Sequence, residues 1–276
     1  VPINTDLPDA DLEQVEDENL QRLYSVPIIP LLDAEIVIGL RVVYERGQQA
    51  GLNRDNITKV GDSNSARPIY LNPLAIDDYD LGPYDFLQPL VDRIAPSLEE
   101  YSVAARVGLN AFSIFDPFWA SQTLCDPRES PLLCEFRLRQ PAIAVIMFGP
   151  NDLSVLNSTE YETQMRQLIQ KTLDAGVIPL LSTFTYSPTE ADWSQAVRFN
   201  LILLDIAEDM NIPLVNLWSA ERTPPGYGIG SDPLHMTESG DKMNFDGHES
   251  FWGISLQNLV VLCALDELYR AVIIDN

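Results

Sequence analysis

Short apolar runs alternate with stretches of helical periodicity from residue 34 to the end of the chain, and this alternation constrains the fold more than any other feature. Residues 142–148 are apolar without interruption, the pattern of a parallel strand covered on both faces, and they lead into Gly149-Pro150, which cannot continue a helix. Further strands are expected at 57–60, 177–184 and 212–218, and 101–107 is rich in β-formers. Helical spacing marks 34–50, where Ile36, Leu40, Val43 and Tyr44 recur, and also 87–94, 159–175, 190–209 and 249–272. Such βα alternation predicts an α/β protein: a three-layer α/β/α sandwich around a mainly parallel sheet.

Residues 1–20 carry Asp6, Asp9, Asp11, Glu13, Glu16, Asp17 and Glu18 with no base, and read as a solvated acidic tail. No repeat or Gly/Ser linker divides the remainder, so 21–276 reads as one domain with a helical extension at about 21–55 that could cover the sheet or the site entrance. With 46% hydrophobic and 21% charged residues the chain can bury a sizeable core. Its longest stretch without a charge, 250–265, is shorter than the roughly 20 residues of a membrane-spanning helix and includes serine, glutamine and asparagine. No transmembrane segment is expected.

Charge excludes one class of partner. Against 41 Asp+Glu stand 17 Lys+Arg, giving a net charge of −24. A nucleic-acid backbone is bound by neutralising phosphates with Lys and Arg, yet the lysines are only Lys59, Lys171 and Lys242 and the arginines are scattered. Neither nucleic acid nor an anionic membrane surface fits.

Cys125 and Cys134 bracket a turn-rich segment that can bring their sulfurs together, which predicts a disulfide and an oxidising compartment; two reduced thiols are the alternative. Cys263 falls in an apolar helical stretch and reads as a small buried residue. The three cysteines have neither metal nor redox spacing.

In open parallel sheets, ligands gather beyond the carboxyl ends of strands. Ser63, in Gly61-Asp62-Ser63-Asn64-Ser65, follows the strand at 57–60; Asn151, in Gly149-Pro150-Asn151-Asp152, follows that at 142–148 and could aim its amide at an oxyanion; Gly108 follows 101–107, where a bare backbone N–H can approach a reacting oxygen. Singly, each also reads as an ordinary turn, or for Ser63 a helix cap. The chain has two histidines. In Asp232-Pro233-Leu234-His235 a spacing of three lets the carboxylate reach Nδ1 and leaves Nε2 free as a base; His248, in Asp246-Gly247-His248, is the rival.

Taken together and in this order, these blocks resemble the SGNH hydrolase family, also called GDSL-like esterases and lipases, over residues 57–272. The resemblance implies a flavodoxin-like sheet, Ser63 as nucleophile, His235 and Asp232 as base and orienter, and an oxyanion hole formed by Ser63, Gly108 and Asn151. It implies a serine esterase acting on carboxylic esters through an acyl-enzyme, with short-acyl, lipid and sugar-linked acetyl substrates all open, and with no metal or organic cofactor. Two departures stand out: residue 106, two before Gly108, is arginine where the family carries asparagine, and residues 236–246 intervene between His235 and the last helix. Phe112, Phe115, Phe118 and Trp119 could line an acyl pocket or belong to the core. The alternatives are a secreted binding or surface module with an inactive fold, and an acyltransferase using the same triad. Secretion with the leader removed is the expected setting; the sequence sets no oligomeric state.

Overall fold

The computed structural model describes residues 18–239 and 243–274. The acidic tail expected at 1–20 lies outside the described residues except for 18–20, which belong to a helical stretch at 18–25. Four strands, β1 (Asn53–Gly61), β2 (Pro141–Met147), β3 (Ile178–Ser182) and β4 (Leu214–Val215), form a parallel sheet in the order β1-β2-β3-β4. Its helices are α1 (Ala34–Gln49), α2 (Ser63–Ala66), α3 (Gln88–Ile94), α4 (Pro131–Arg139), α5 (Ser158–Asp174), α6 (Trp193–Asp209), α7 (Leu217–Ala220) and α8 (Gly253–Leu268), the last continued by a π-helical turn, Tyr269–Ile274.

The segment read as β-rich, 101–107, is not a strand. It meets β1 through one parallel bridge, Gly61 with Ala105, and side chains take two of its backbone donors: Glu135 Oε2 accepts from Val103 N at 2.7 Å, and Ser102 Oγ from Ala104 N at 3.0 Å. This segment still fills the edge position outside β1, so the spatial order 2-1-3-4-5 of flavodoxin-like sheets is preserved. Right-handed crossovers then place α4, α5 and α6 on one face and α3 on the other; α8, which follows the last strand, is tied to the segment beside Asn72, where its Asn258 Oδ1 accepts from Leu71 N at 3.0 Å. Adjacent β1 side chains confirm the two faces: Thr58 donates to Glu135 of α4, while Lys59 Nζ donates to Asn72 Oδ1 at 2.6 Å on the opposite side.

Local sequence explains the helices. Asn157 and Glu160 form a reciprocal capping box at the start of α5, whose buried Tyr161, Met165, Leu168, Ile169 and Thr172 repeat at helical spacing. Tyr161 stacks on Phe199 of α6, ring centroids 4.0 Å apart. Strand β4 is shorter than expected because Asn216 leaves it to cap α7, accepting from Ser219 N at 3.2 Å, so Trp218 is buried from a helix. The extension is tied to the sheet's β4 edge, where Asn216 N donates to Ile28 O, and to the chain's end, where Arg41 donates to Ala271 O. Cys125 and Cys134 are joined as a disulfide with Cα atoms 5.3 Å apart. Among the described residues no helix is long and apolar enough to cross a membrane.

Candidate active site

Strands β1 and β2 end side by side, Gly61 in register with Met147, so the turns that follow them are neighbours. A Cβ on Gly61 would lie 2.4 Å from Met147 O and 2.3 Å from Ser65 Oγ; only glycine lets α2 begin this close to the sheet. Asp62 caps α2 by accepting from Asn64 N at 2.9 Å, which puts Ser63 at the first helical position with its N–H lacking an intrahelical acceptor.

His235 arrives from the loop after α7. Its Nε2 lies 2.9 Å from Ser63 Oγ, and its Nδ1 lies 3.0 and 3.1 Å from the two Asp232 oxygens. Asp232 Oδ1 also accepts the backbone N–H groups of Leu234 and His235, each at 2.9 Å. Partial desolvation works against the Asp232 anion, but the His235 bond and these two donors outweigh it and hold the carboxyl below its usual range. Hydroxyl, imidazole and carboxylate thus stand in one hydrogen-bonded row.

Behind the row, the other two predicted residues are joined through one loop. Asn151 Nδ2 donates to Leu109 O at 3.1 Å, leaving one amide hydrogen unused, and Asp152 Oδ1 accepts from Ala111 N at 2.8 Å. Gly108, at the head of this loop, is exposed, turns at φ +85°, and makes no hydrogen bond through its N–H among the described residues. Asp62 and Asp152 are both fully buried, and each keeps one carboxylate oxygen without a partner. Burial pushes Asp62 up to about 6, against the pull of Asn64 N–H and the His235 charge; burial, followed by the charge of Asp62, pushes Asp152 up to about 7.

A cavity of about 410 Å³ lined by Ser63, Ala66, Arg67, Pro68, Val107, Asp232 and His235 opens onto the row. Phe112, Phe115 and Trp119 are not in that lining. Phe112 is exposed, Phe115 packs against the core, and Trp119 lies under the Gly108 turn with Phe118 edge-on to it. His248 stands apart, its Nδ1 3.0 Å from Asp246 Oδ1. Sequence reasoning missed the bonds of Asn64 and Arg67 to the histidine loop, because their partners, Leu234 O and Met236 O, lie some 170 positions away. Among the described residues the one group spaced to hold a metal, Cys125, Glu129 and Cys134, has its sulfurs in the disulfide.

No curated protein matches the chain. Among solved structures, it is similar to an alpha/beta hydrolase enzyme from the metagenome of Lake Arreo, Spain, at 15% identity over 76% of this chain and 94% of that one, with a TM-score of 0.51. It is likewise similar to a catalytic mutant of an acetylxylan esterase from Geobacillus stearothermophilus, at 16% identity over 76% and 93% of the two chains, TM-score 0.50. A lipase/acylhydrolase from Enterococcus faecalis aligns at 16% identity over 78% and 96%, TM-score 0.49. At these identities the likeness to the first two is one of fold. Residues 60–243, two thirds of the sequence and the span that carries Ser63, Asn151, Asp232 and His235, match the GDSL-like Lipase/Acylhydrolase family; the chain belongs to that family and is an ester-hydrolysing serine hydrolase.

Proposed function

We propose that the protein hydrolyses neutral carboxylic esters through an acyl-enzyme on Ser63, with His235 as base and Asp232 as its orienter. The 2.9 Å contact of His235 Nε2 with Ser63 Oγ is the observation that carries this reading. His235 takes the Ser63 proton as Oγ attacks the carbonyl, then delivers it to the departing alcohol; water enters, gives its proton to His235, and the acid leaves as Oγ recovers that proton. Asp232 fixes the tautomer and steadies the imidazolium. The oxyanion is received by the Ser63 and Gly108 N–H groups and the free amide hydrogen of Asn151, and each donor of this kind is worth about 10²–10³ in rate.

With a net charge of −24 the protein repels anionic substrates. Neutral esters remain, and an acetylated sugar belongs in the test panel because a fold neighbour is an acetylxylan esterase. The disulfide supports a secreted or extracytoplasmic setting. The test is turnover of p-nitrophenyl acetate, p-nitrophenyl butyrate and acetylated xylose with a competing alcohol present. Free acid as the dominant product, abolished in Ser63→Ala, is expected. A dominant alcohol ester would make the protein an acyltransferase, and no turnover at all would make it a binding module.

A further inference from the structure

We infer that Asn64 and Arg67 are positioning residues, a two-point clamp that locks the base-bearing loop onto the nucleophile's own helix. The inference rests on the assignment of Ser63 and His235 above. Asn64 follows the nucleophile directly, and its Nδ2 donates to Leu234 O at 2.7 Å. Arg67 is the C-cap of α2, and its Nη1 donates to Met236 O at 2.8 Å. Leu234 and Met236 flank His235 on either side. The backbone that carries the imidazole is therefore held before and after by the same short helix that carries Ser63.

The loop needs such holding. Between α7 and α8 its described residues contain two isolated bridges, Ile229 with Met236 and Asp80 with Asn244, and two single-turn helices, Pro225–Gly228 and Glu249–Phe251; within the loop His235 O accepts from Gly230 N at 2.8 Å, and the clamp is what joins this part of it to α2. Misplacing a base by about 1 Å can cost roughly 10²-fold in rate. Asn64 is 2% exposed and its Oδ1 has no partner, an unfavourable arrangement for a buried amide unless its N–H is the end that matters. Arg67 lines the cavity mouth, where an arginine suggests an anion-binding residue, but its guanidinium is already committed to Met236 O and to an ion pair with Glu238. Those bonds run into the histidine loop, whose Asp232 also feels the Arg67 charge.

The test uses the full chain carrying Asn64→Leu, which keeps the volume and removes the donor, and Arg67→Met, singly and together, each also in a His235→Ala background. With p-nitrophenyl acetate, kcat falls about tenfold for each single variant and about 10²-fold for the pair while KM holds. In the His235→Ala background the same changes have no further effect, because a clamp acting through the imidazole has nothing left to position. Arg67→Lys, which still offers Met236 O a donor, recovers most of the loss. The ring ¹⁵N shifts of His235 move in the clamp variants while those of His248 stay, a readout independent of turnover. Unmoved His235 signals, or losses that persist without His235, overturn the clamp. Wild-type protein that lacks turnover but whose His235 signals respond would refute the esterase reading and leave the clamp standing. Should the double variant fail to fold, Asn64→Ala decides by the same ring signals.

Discussion

Two aspartate–histidine pairs sit in the segment between α7 and α8, and they share one contact: Nδ1 lies 3.0 Å from an aspartate oxygen in both Asp232–His235 and Asp246–His248. In both, the aspartate is held below its usual range, Asp246 chiefly by the His248 bond and Asp232 by the His235 bond and backbone donors against desolvation. The difference lies at the far nitrogen. His235, its side chain 38% exposed, turns Nε2 to Ser63, whereas His248, 72% exposed, lies beside Phe251 at the edge of a separate cavity and makes no Nε2 hydrogen bond among the described residues. An Asp–His pair is thus what a turn of this kind makes by itself. The base we propose belongs to the pair that the fold brings to Ser63 at the end of β1.

The comparison breaks most visibly in turnover. His235→Ala lowers kcat by about 10⁴–10⁶-fold, and His248→Ala leaves it within about twofold; a dead His248→Ala beside an active His235→Ala reverses the assignment. The orienting carboxylates sharpen it at a smaller scale, Asp232→Asn costing about 10⁴-fold and Asp246→Asn nothing measurable.

The smallest effect concerns stability and contrasts the exposed aspartates with the buried Asp62 and Asp152. The folded protein keeps a proton on Asp152 up to about pH 7, while the unfolded chain releases it near ~3.9. Between those values the folded state binds more protons, so stability contributed below the window is lost as pH rises through it. Asp152→Asn retains an acceptor for Ala111 N and removes the charge. Its melting temperature therefore falls less between pH 4.5 and pH 8 than that of the wild type, by a few degrees; equal falls in the two proteins would mean that Asp152 does not hold that proton.

How much of this the sequence discloses depends on the range of the interaction. Strand β2 is legible because its burial is continuous, and the Asp232–His235 contact because three residues separate the pair. Helix α5 is legible through its cap and its stripe. The segment 101–107 misleads because β-propensity describes its side chains, while Glu135 and Ser102 decide where its N–H groups go. For Phe112, Phe115 and Trp119 the sequence leaves pocket and core both open, because aromatic character does not distinguish a binding wall from packing beneath a loop; the structure puts Phe112 at the surface and packs Phe115 and Trp119 against the core. The contact of Ser63 with His235 and the clamps at Asn64 and Arg67 join residues about 170 positions apart, and no periodicity encodes them.

The central claim is that Ser63 is activated by His235 and by no other group. Its most direct test is the intact mass of the protein after brief exposure to a fluorophosphonate, with the adduct mapped by peptide sequencing. One adduct on Ser63 in the wild type and in His248→Ala, and none in His235→Ala, is the predicted result. An adduct on another residue, or undiminished labelling in His235→Ala, would contradict the account.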